Sequence, residues 1–154
     1  MTARKLAFEE LQEGRVFHLP ETRVTAEEIA AFSSQFDPEP SHPDEEAEPG
    51  SALSAAGSGW HAGALFMRMF CEAILLDSTS QGSPGITEMR WNAPVRAGDT
   101  LSGHITVLSR RILKSRPGLG LVIFRHVVKN QRGETVMECD NPVFFGLRHP
   151  GDDA

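Results

Sequence analysis

The stretch GWHAGALFMRMFCEAILLD, residues 59–77, decides the fold. Apolar side chains cover nearly every side of it from Trp60 to Leu76, and only Arg68 and Glu72, four apart on one stripe, interrupt them. A helix that is apolar almost all round is either buried or spans a membrane. This run is shorter than the ~20 residues a bilayer requires and carries two charges, so it predicts a buried central helix. Such a helix needs a broad apolar surface to cover it.

That surface follows in the chain. From residue 84 onward the period changes toward that of strands, through ITEMRWNAPV (86–95), RAGDTLSGHITVLSRRIL (96–113) and GLGLVIFRHVVKNQRGETVMECDNPVFFGLR (118–148). Turn signals fall at Ala97-Gly98-Asp99, Pro117-Gly118 and Asn130 to Gly133, with β-branched and aromatic residues between them. The pattern predicts an antiparallel meander of long strands. One long buried helix ahead of a long-stranded sheet implies an α+β fold in which the sheet wraps around the helix. A chain of 154 residues is most simply one domain, spanning 1–154. A sheet covered on one face leaves its edge strands unpaired, so a second copy is expected to extend it as a homodimer.

The net charge of −6 argues against a nucleic-acid partner, because duplex binding draws its affinity from Lys and Arg on phosphates. The start, MTARKLAFEELQEG, turns acidic before any apolar run develops, so it does not read as a secretory signal, and a cytoplasmic protein with no membrane partner is expected. Cys71 and Cys139 lie far apart without metal or redox spacing, which suits packed, reduced thiols. The run DEEAE (44–48) has no paired histidine spacing and reads as a solvated face. No glycine-rich dinucleotide fingerprint and no phosphate-binding loop is present, so no cofactor is expected.

Ahead of the central helix, VTAEEIAAFSSQF (24–36) opens with Thr25 and Glu28 at capping-box spacing, and Ile29, Phe32 and Phe36 then share one helical face. Pro38 and Pro40 stop this helix at Asp37. The end of the stretch, FDPEPSH (36–42), places Asp37 and His42 around two prolines. On local grounds Asp37 is either a side chain satisfying backbone N–H groups at a helix end or an acid–base group, and His42 moves with it. Ser58 is expected to cap the central helix, since GSGWH (57–61) lacks the nucleophile elbow of serine hydrolases. His61 reads as packed or capping. His18, His104, His126 and His149 are scattered and form no ligand set. SRRILKSR (109–116) brings Arg110, Arg111, Lys114 and Arg116 together, as a phosphate contact or a solvated hairpin end.

Four segments in this order carry a resemblance: Asp-x-x-Pro-x-His at 37–42, Ser-Gly-Trp-His at 58–61 opening a hydrophobic helix, MRWNAPVRAGDTL (89–101), and NQRGETV (130–136) before the last strand. From about residue 7 to residue 148 the chain resembles the MaoC-like acyl dehydratases, the (R)-specific enoyl-CoA hydratase family of the hotdog-fold superfamily. The resemblance implies a dimer of hotdog folds acting on thioesters of coenzyme A or acyl carrier protein. It implies Asp37 and His42 as the catalytic pair working on a water at the β-carbon of a trans-2-enoyl thioester. It also implies the backbone amide of Gly59 as the group that holds the thioester oxygen.

The activity expected is hydration of the enoyl thioester or dehydration of the 3-hydroxyacyl thioester. Thioester hydrolysis by a hotdog thioesterase and non-catalytic acyl-thioester binding remain the alternatives. Trp60, Phe66, Met67, Met69 and Phe70 are candidates to line an acyl tunnel. Two features depart from the family pattern: Glu39, where many relatives carry Asn or Gln, and the small residues of GSALSAAGSG (50–59).

Overall fold

The computed structural model of the protein describes residues 5–38 and 58–151. Five strands form one antiparallel sheet: β1 (Val16–Arg23), β2 (Glu88–Trp91), β3 (Thr100–Ile112), β4 (Leu119–Lys129) and β5 (Thr135–Gly146), in the spatial order β1-β3-β4-β5-β2. Among the described residues two α-helices accompany it, α1 (Ala26–Phe36) and α2 (Gly59–Ala73), with short 3-10 turns at Phe8–Glu10 and Leu75–Asp77. The fold is thus the expected α+β arrangement, with α2 laid on one face of a long-stranded sheet. Among the described residues no helix is long and apolar enough to cross a membrane.

Strand alternation explains which face holds the helix. On β4, Val122, Phe124, His126 and Val128 are buried, while Arg125 between them is exposed. On β5 the inward set is Met137, Cys139, Asn141, Val143 and Phe145. From α2 come Leu65, Phe66, Met69 and Phe70, and Phe70 meets Phe124 edge-on at 5.5 Å between ring centroids. Each such side chain buried contributes about 1.5–3 kcal/mol, so this seam is the main source of cohesion. On the outward face, Arg125 holds Asp140 through two hydrogen bonds of 3.0 and 2.9 Å.

The strands depart from the sequence expectation in two places. ITEMRWNAPV makes only the four-residue edge strand β2, because Asn92 and Ala93 both donate to Val136 O and close the ladder, and Pro94 follows with no donor. β1 was not anticipated at all. Pro20 interrupts its alternation, and the pairing with β3 shifts register between Leu19 and Thr22 around it. As an edge strand, β1 tolerates the missing N–H.

Two of the segments that carried the family resemblance meet in space. Asp99, in the turn before β3, is buried; it accepts from Arg96 N at 2.9 Å and from Gln131 Nε2 at 3.0 Å. Gln131 in turn accepts from Thr100 N at 3.0 Å. Gly98 in the same turn needs its positive φ of 90°. These motifs therefore lock the turn before β3 to the β4–β5 hairpin.

One buried histidine is strongly perturbed. His126 is fully buried, with Nε2 2.6 Å from Asn141 Oδ1, and burial pushes its pKa from 6.5 down to about 4 against the opposing pull of Asn141 and Asp140. As pH falls below the unfolded value, the unfolded chain takes up a proton that the folded chain refuses until near the folded value. Stability is therefore present above that window and lost on acidification through it. Between neutrality and about pH 5, wild type should lose roughly 2 kcal/mol more than His126→Gln. Paired urea unfolding curves check this; an unchanged difference between the two proteins would contradict it.

Candidate active site

The described residues expected in the site fall at the end of α1 and the start of α2. Thr25 starts α1 by accepting from Glu28 N at 3.1 Å. The helix stops at Asp37, whose N–H still bonds Ser33 O at 3.0 Å while its backbone leaves helical geometry (φ −147°, ψ 70°), and Pro38 prevents a further turn. Asp37 is half-buried at this end. Of the three residues expected on one buried face, Ile29 is buried and Phe32 half-buried, but Phe36 is 66% exposed. The last turn overhangs the core, and the Phe36 ring rests on Phe32 at 5.2 Å instead.

Phe32 links the two helices by stacking on His61, with centroids 5.0 Å apart and planes 22° from parallel. The Phe32–His61 stack packs α1, which ends at Asp37, on the first turn of α2, which begins at Gly59. His61 is packed, as expected. Burial pushes its pKa down, Glu28 draws it up and Arg68 draws it down again. His42 and Glu39 lie outside the described residues, so the second member of the expected catalytic pair has no described position.

Ser58 organises the start of α2. Its hydroxyl accepts from Trp60 N at 3.1 Å, and its carbonyl accepts from His61 N and Ala62 N at 3.1 and 3.2 Å. The Gly59 N–H donates to none of the described residues. Among the described residues this donor, at the positive end of the helix dipole, has no acceptor. Ser58 is 2% exposed and acts as the cap.

A groove of about 220 Å³ lies against this donor, bounded by Ser58, Gly59 and Ala62 on α2 and by residues 91–95 opposite. Trp91 covers Gly59 closely. A Cβ added to Gly59 would stand 2.6 Å from Cδ2 of the indole, so no residue larger than glycine fits with Trp91 in place. Trp91 also meets Trp60 edge-on at 5.2 Å. Sequence reasoning had no means of finding Trp91, since its apposition to residue 59 exists only in the fold. A separate charged depression among Glu88, Arg90, Arg125 and Asp140 lies on the outward face of the sheet and shares no residue with the groove.

Other expectations resolve as follows. Among the tunnel candidates, Phe66, Met69 and Phe70 are buried, whereas Trp60 and Met67 are 63% and 46% exposed. Arg110 sits 4.0 Å over the Phe8 ring and donates to Phe8 O at 2.7 Å, so it anchors the amino-terminal segment. Cys71 and Cys139 are both free thiols.

Comparisons with known proteins bear on the family and the fold. The family profile described as "FAS1-like, dehydratase domain region" matches residues 12–139. The MaoC-like dehydratase from Rhodospirillum rubrum is 36% identical, with coverage of 94% of this chain and 99% of that one and a TM-score of 0.81. An (R)-hydratase from A. caviae involved in PHA biosynthesis is 21% identical over 90% of this chain and 98% of its own, with a TM-score of 0.68. A Mycobacterium tuberculosis protein with a double hotdog fold is 16% identical, covering 100% of this chain and 48% of its own, at a TM-score of 0.78. No curated protein sequence matches. The chain belongs to the MaoC-like dehydratase family and has the hotdog fold.

The fit of Trp91 over Gly59 is testable through stability. Gly59→Ala should cost about 1–3 kcal/mol by overpacking. In a Trp91→Ala background the same substitution should cost little, so the double variant should lose less stability than the sum of the two single variants. Equal costs in both backgrounds would contradict the apposition.

Proposed function

We propose that the protein is a hydro-lyase that adds water to a trans-2-enoyl thioester or removes it from the 3-hydroxyacyl thioester. The observation that carries this reading is that the Gly59 N–H at the start of α2 donates to none of the described residues, while Asp37 ends α1, the helix that packs on α2 through Phe32 and His61. The likeness to a MaoC-like dehydratase at 36% identity supports it.

The groups suit the chemistry. As the water oxygen bonds to C3, a base removes a proton from that water, and the π electrons of the double bond move toward the thioester carbonyl. The oxygen at C1 becomes enolate-like, and the Gly59 N–H with the helix dipole behind it opposes that charge. An acid then protonates C2. Asp37 and His42 share the two proton transfers, and in dehydration the same groups exchange roles. Only water and protons move, so the reaction calls for no redox cofactor.

The acyl group arrives on coenzyme A or on a carrier protein, both of which present it on a phosphopantetheine arm. The four-residue edge strand β2, ending in the 44% exposed Trp91, supports assembly as a homodimer through that edge. The purified protein should sediment at twice the chain mass; a monomer at assay concentration would contradict this.

Loss of enoyl absorbance with crotonyl- and longer trans-2-enoyl-coenzyme A tests the activity. Asp37→Asn should lower the rate by about 10²–10⁴-fold while circular dichroism stays unchanged. An undiminished rate in that variant would remove Asp37 from the mechanism. Release of thiol from saturated acyl-coenzyme A would instead point to hydrolysis.

A further inference from the structure

The edge strand β1 brings together two histidines that the sequence scatters. In the pairing of β1 with β3, His18 stands directly opposite His104. Their neighbours Leu19 and Ile105 are buried in the core, so strand alternation turns both imidazoles to the outward face. His18 is exposed there and His104 half-buried.

The ladder fixes how close the two strands hold them. Val107 N donates to Arg15 O at 2.9 Å, so residues 15 and 107 face each other at a hydrogen-bonded position. Such positions alternate along an antiparallel pair, and counting on through Val16–Thr106 and Phe17–Ile105 puts His18 and His104 at a non-hydrogen-bonded one. Opposed residues at these positions have Cα atoms about 4.5 Å apart and the closer side chains of the ladder. Neither imidazole hydrogen-bonds to any of the described residues, so the ring nitrogens are uncommitted. The cations nearest by register, Arg125 and Lys129, lie on β4, on the far side of β3 from His18, and Arg125 is engaged by Asp140. On β1 the nearest charge is Glu21, exposed in the irregularity that follows His18. Because β1 and β2 are opposite edges of the sheet, assembly through β2 leaves the pair uncovered.

We propose that His18 and His104 form a two-imidazole chelate for a first-row divalent cation of the Ni²⁺, Cu²⁺ and Zn²⁺ class, which clips β1 to β3. Imidazole nitrogen suits these ions, whereas Mg²⁺ and Ca²⁺ take oxygen ligands. Among the described residues no group of three or more His, Cys, Asp or Glu is placed to hold a metal, so water completes the shell of the two imidazoles. The clip falls where the ladder is interrupted: Pro20, two residues on, has no N–H, and the register shifts between Leu19 and Thr22. From there the chain passes Val24, whose N–H donates to Asp99 O at 2.8 Å, and enters the cap of α1 at Thr25. A cation that binds the opposed pair, and not the separated histidines of the unfolded chain, stabilises the fold by mass action. None of this depends on the proposed thioester chemistry.

The test titrates the full chain, stripped of metal with EDTA, with Zn²⁺, Ni²⁺, Cu²⁺ and Mg²⁺ in a calorimeter. One ion per chain should bind, Cu²⁺ most tightly and Mg²⁺ not at all. Substoichiometric Cu²⁺ should broaden the imidazole proton resonances of His18 and His104 before those of His149 or any other histidine. Zn²⁺ should raise the thermal midpoint, and EDTA should return it. His18→Asn and His104→Asn, both on the outward face, should each abolish the one-to-one isotherm and the thermal shift while the circular dichroism of the metal-free protein stays unchanged. Binding that survives in either variant, broadening that begins at another group, or the absence of binding overturns the chelate. Binding at the pair without a rise in the thermal midpoint overturns the clip.

Discussion

The structure depends on one constraint: an α-helix that is apolar on most of its circumference has to be taken out of water by a single sheet. Phe66, Met69 and Phe70 of α2 meet Phe124, Val143 and Phe145 of the sheet in one continuous core. Three long strands, β3 to β5, are what give that sheet its breadth. Because α2 is pinned along its length by this packing, its first turn is held rigidly without needing a loop to hold it. The proposed function uses the start of that helix.

At that end the hydrogen-bond accounting is unequal. Ser58 satisfies Trp60, His61 and Ala62 through its hydroxyl and carbonyl, and the Gly59 N–H donates to none of the described residues. Glycine there lets Trp91 close over the backbone and form a wall of the groove. Neither residue would make sense alone, since a larger residue at 59 would displace the indole, and a smaller one at 91 would leave the helix end open to solvent. The Phe32–His61 stack seats α1 against the first turn of α2. Burial keeps His61 from charging readily, which fits its part as a spacer between the helices.

Much of this was legible in the chain because the strongest signals were local. The apolar run 59–77, the alternation from residue 100 onward, the proline stop at Asp37 and the Ser58 cap all depend on nearest neighbours along the sequence. What escaped detection depends on tertiary placement or on a broken pattern. Pro20 hid β1 by interrupting its alternation, and only the fold shows that an edge position makes it acceptable. Phe36, Trp60 and Met67 are apolar but point outward, because helical periodicity does not say where a neighbouring element ends. His126 was within reach: it falls on the same alternate positions as Val122, Phe124 and Val128, and that register marks it as inward. Its partner Asn141, fifteen residues away on the next strand, was not.

The central claim is that the Gly59 amide receives the thioester oxygen. Its most direct test follows the Gly59 amide resonance by NMR while a saturated short-chain acyl-pantetheine is added, a probe common to both carriers and inert to hydration. The account predicts a saturable downfield shift of the Gly59 proton, larger than that of Trp60, whose N–H is already engaged by Ser58. A ligand that binds and shifts other amides while leaving Gly59 unmoved would contradict it.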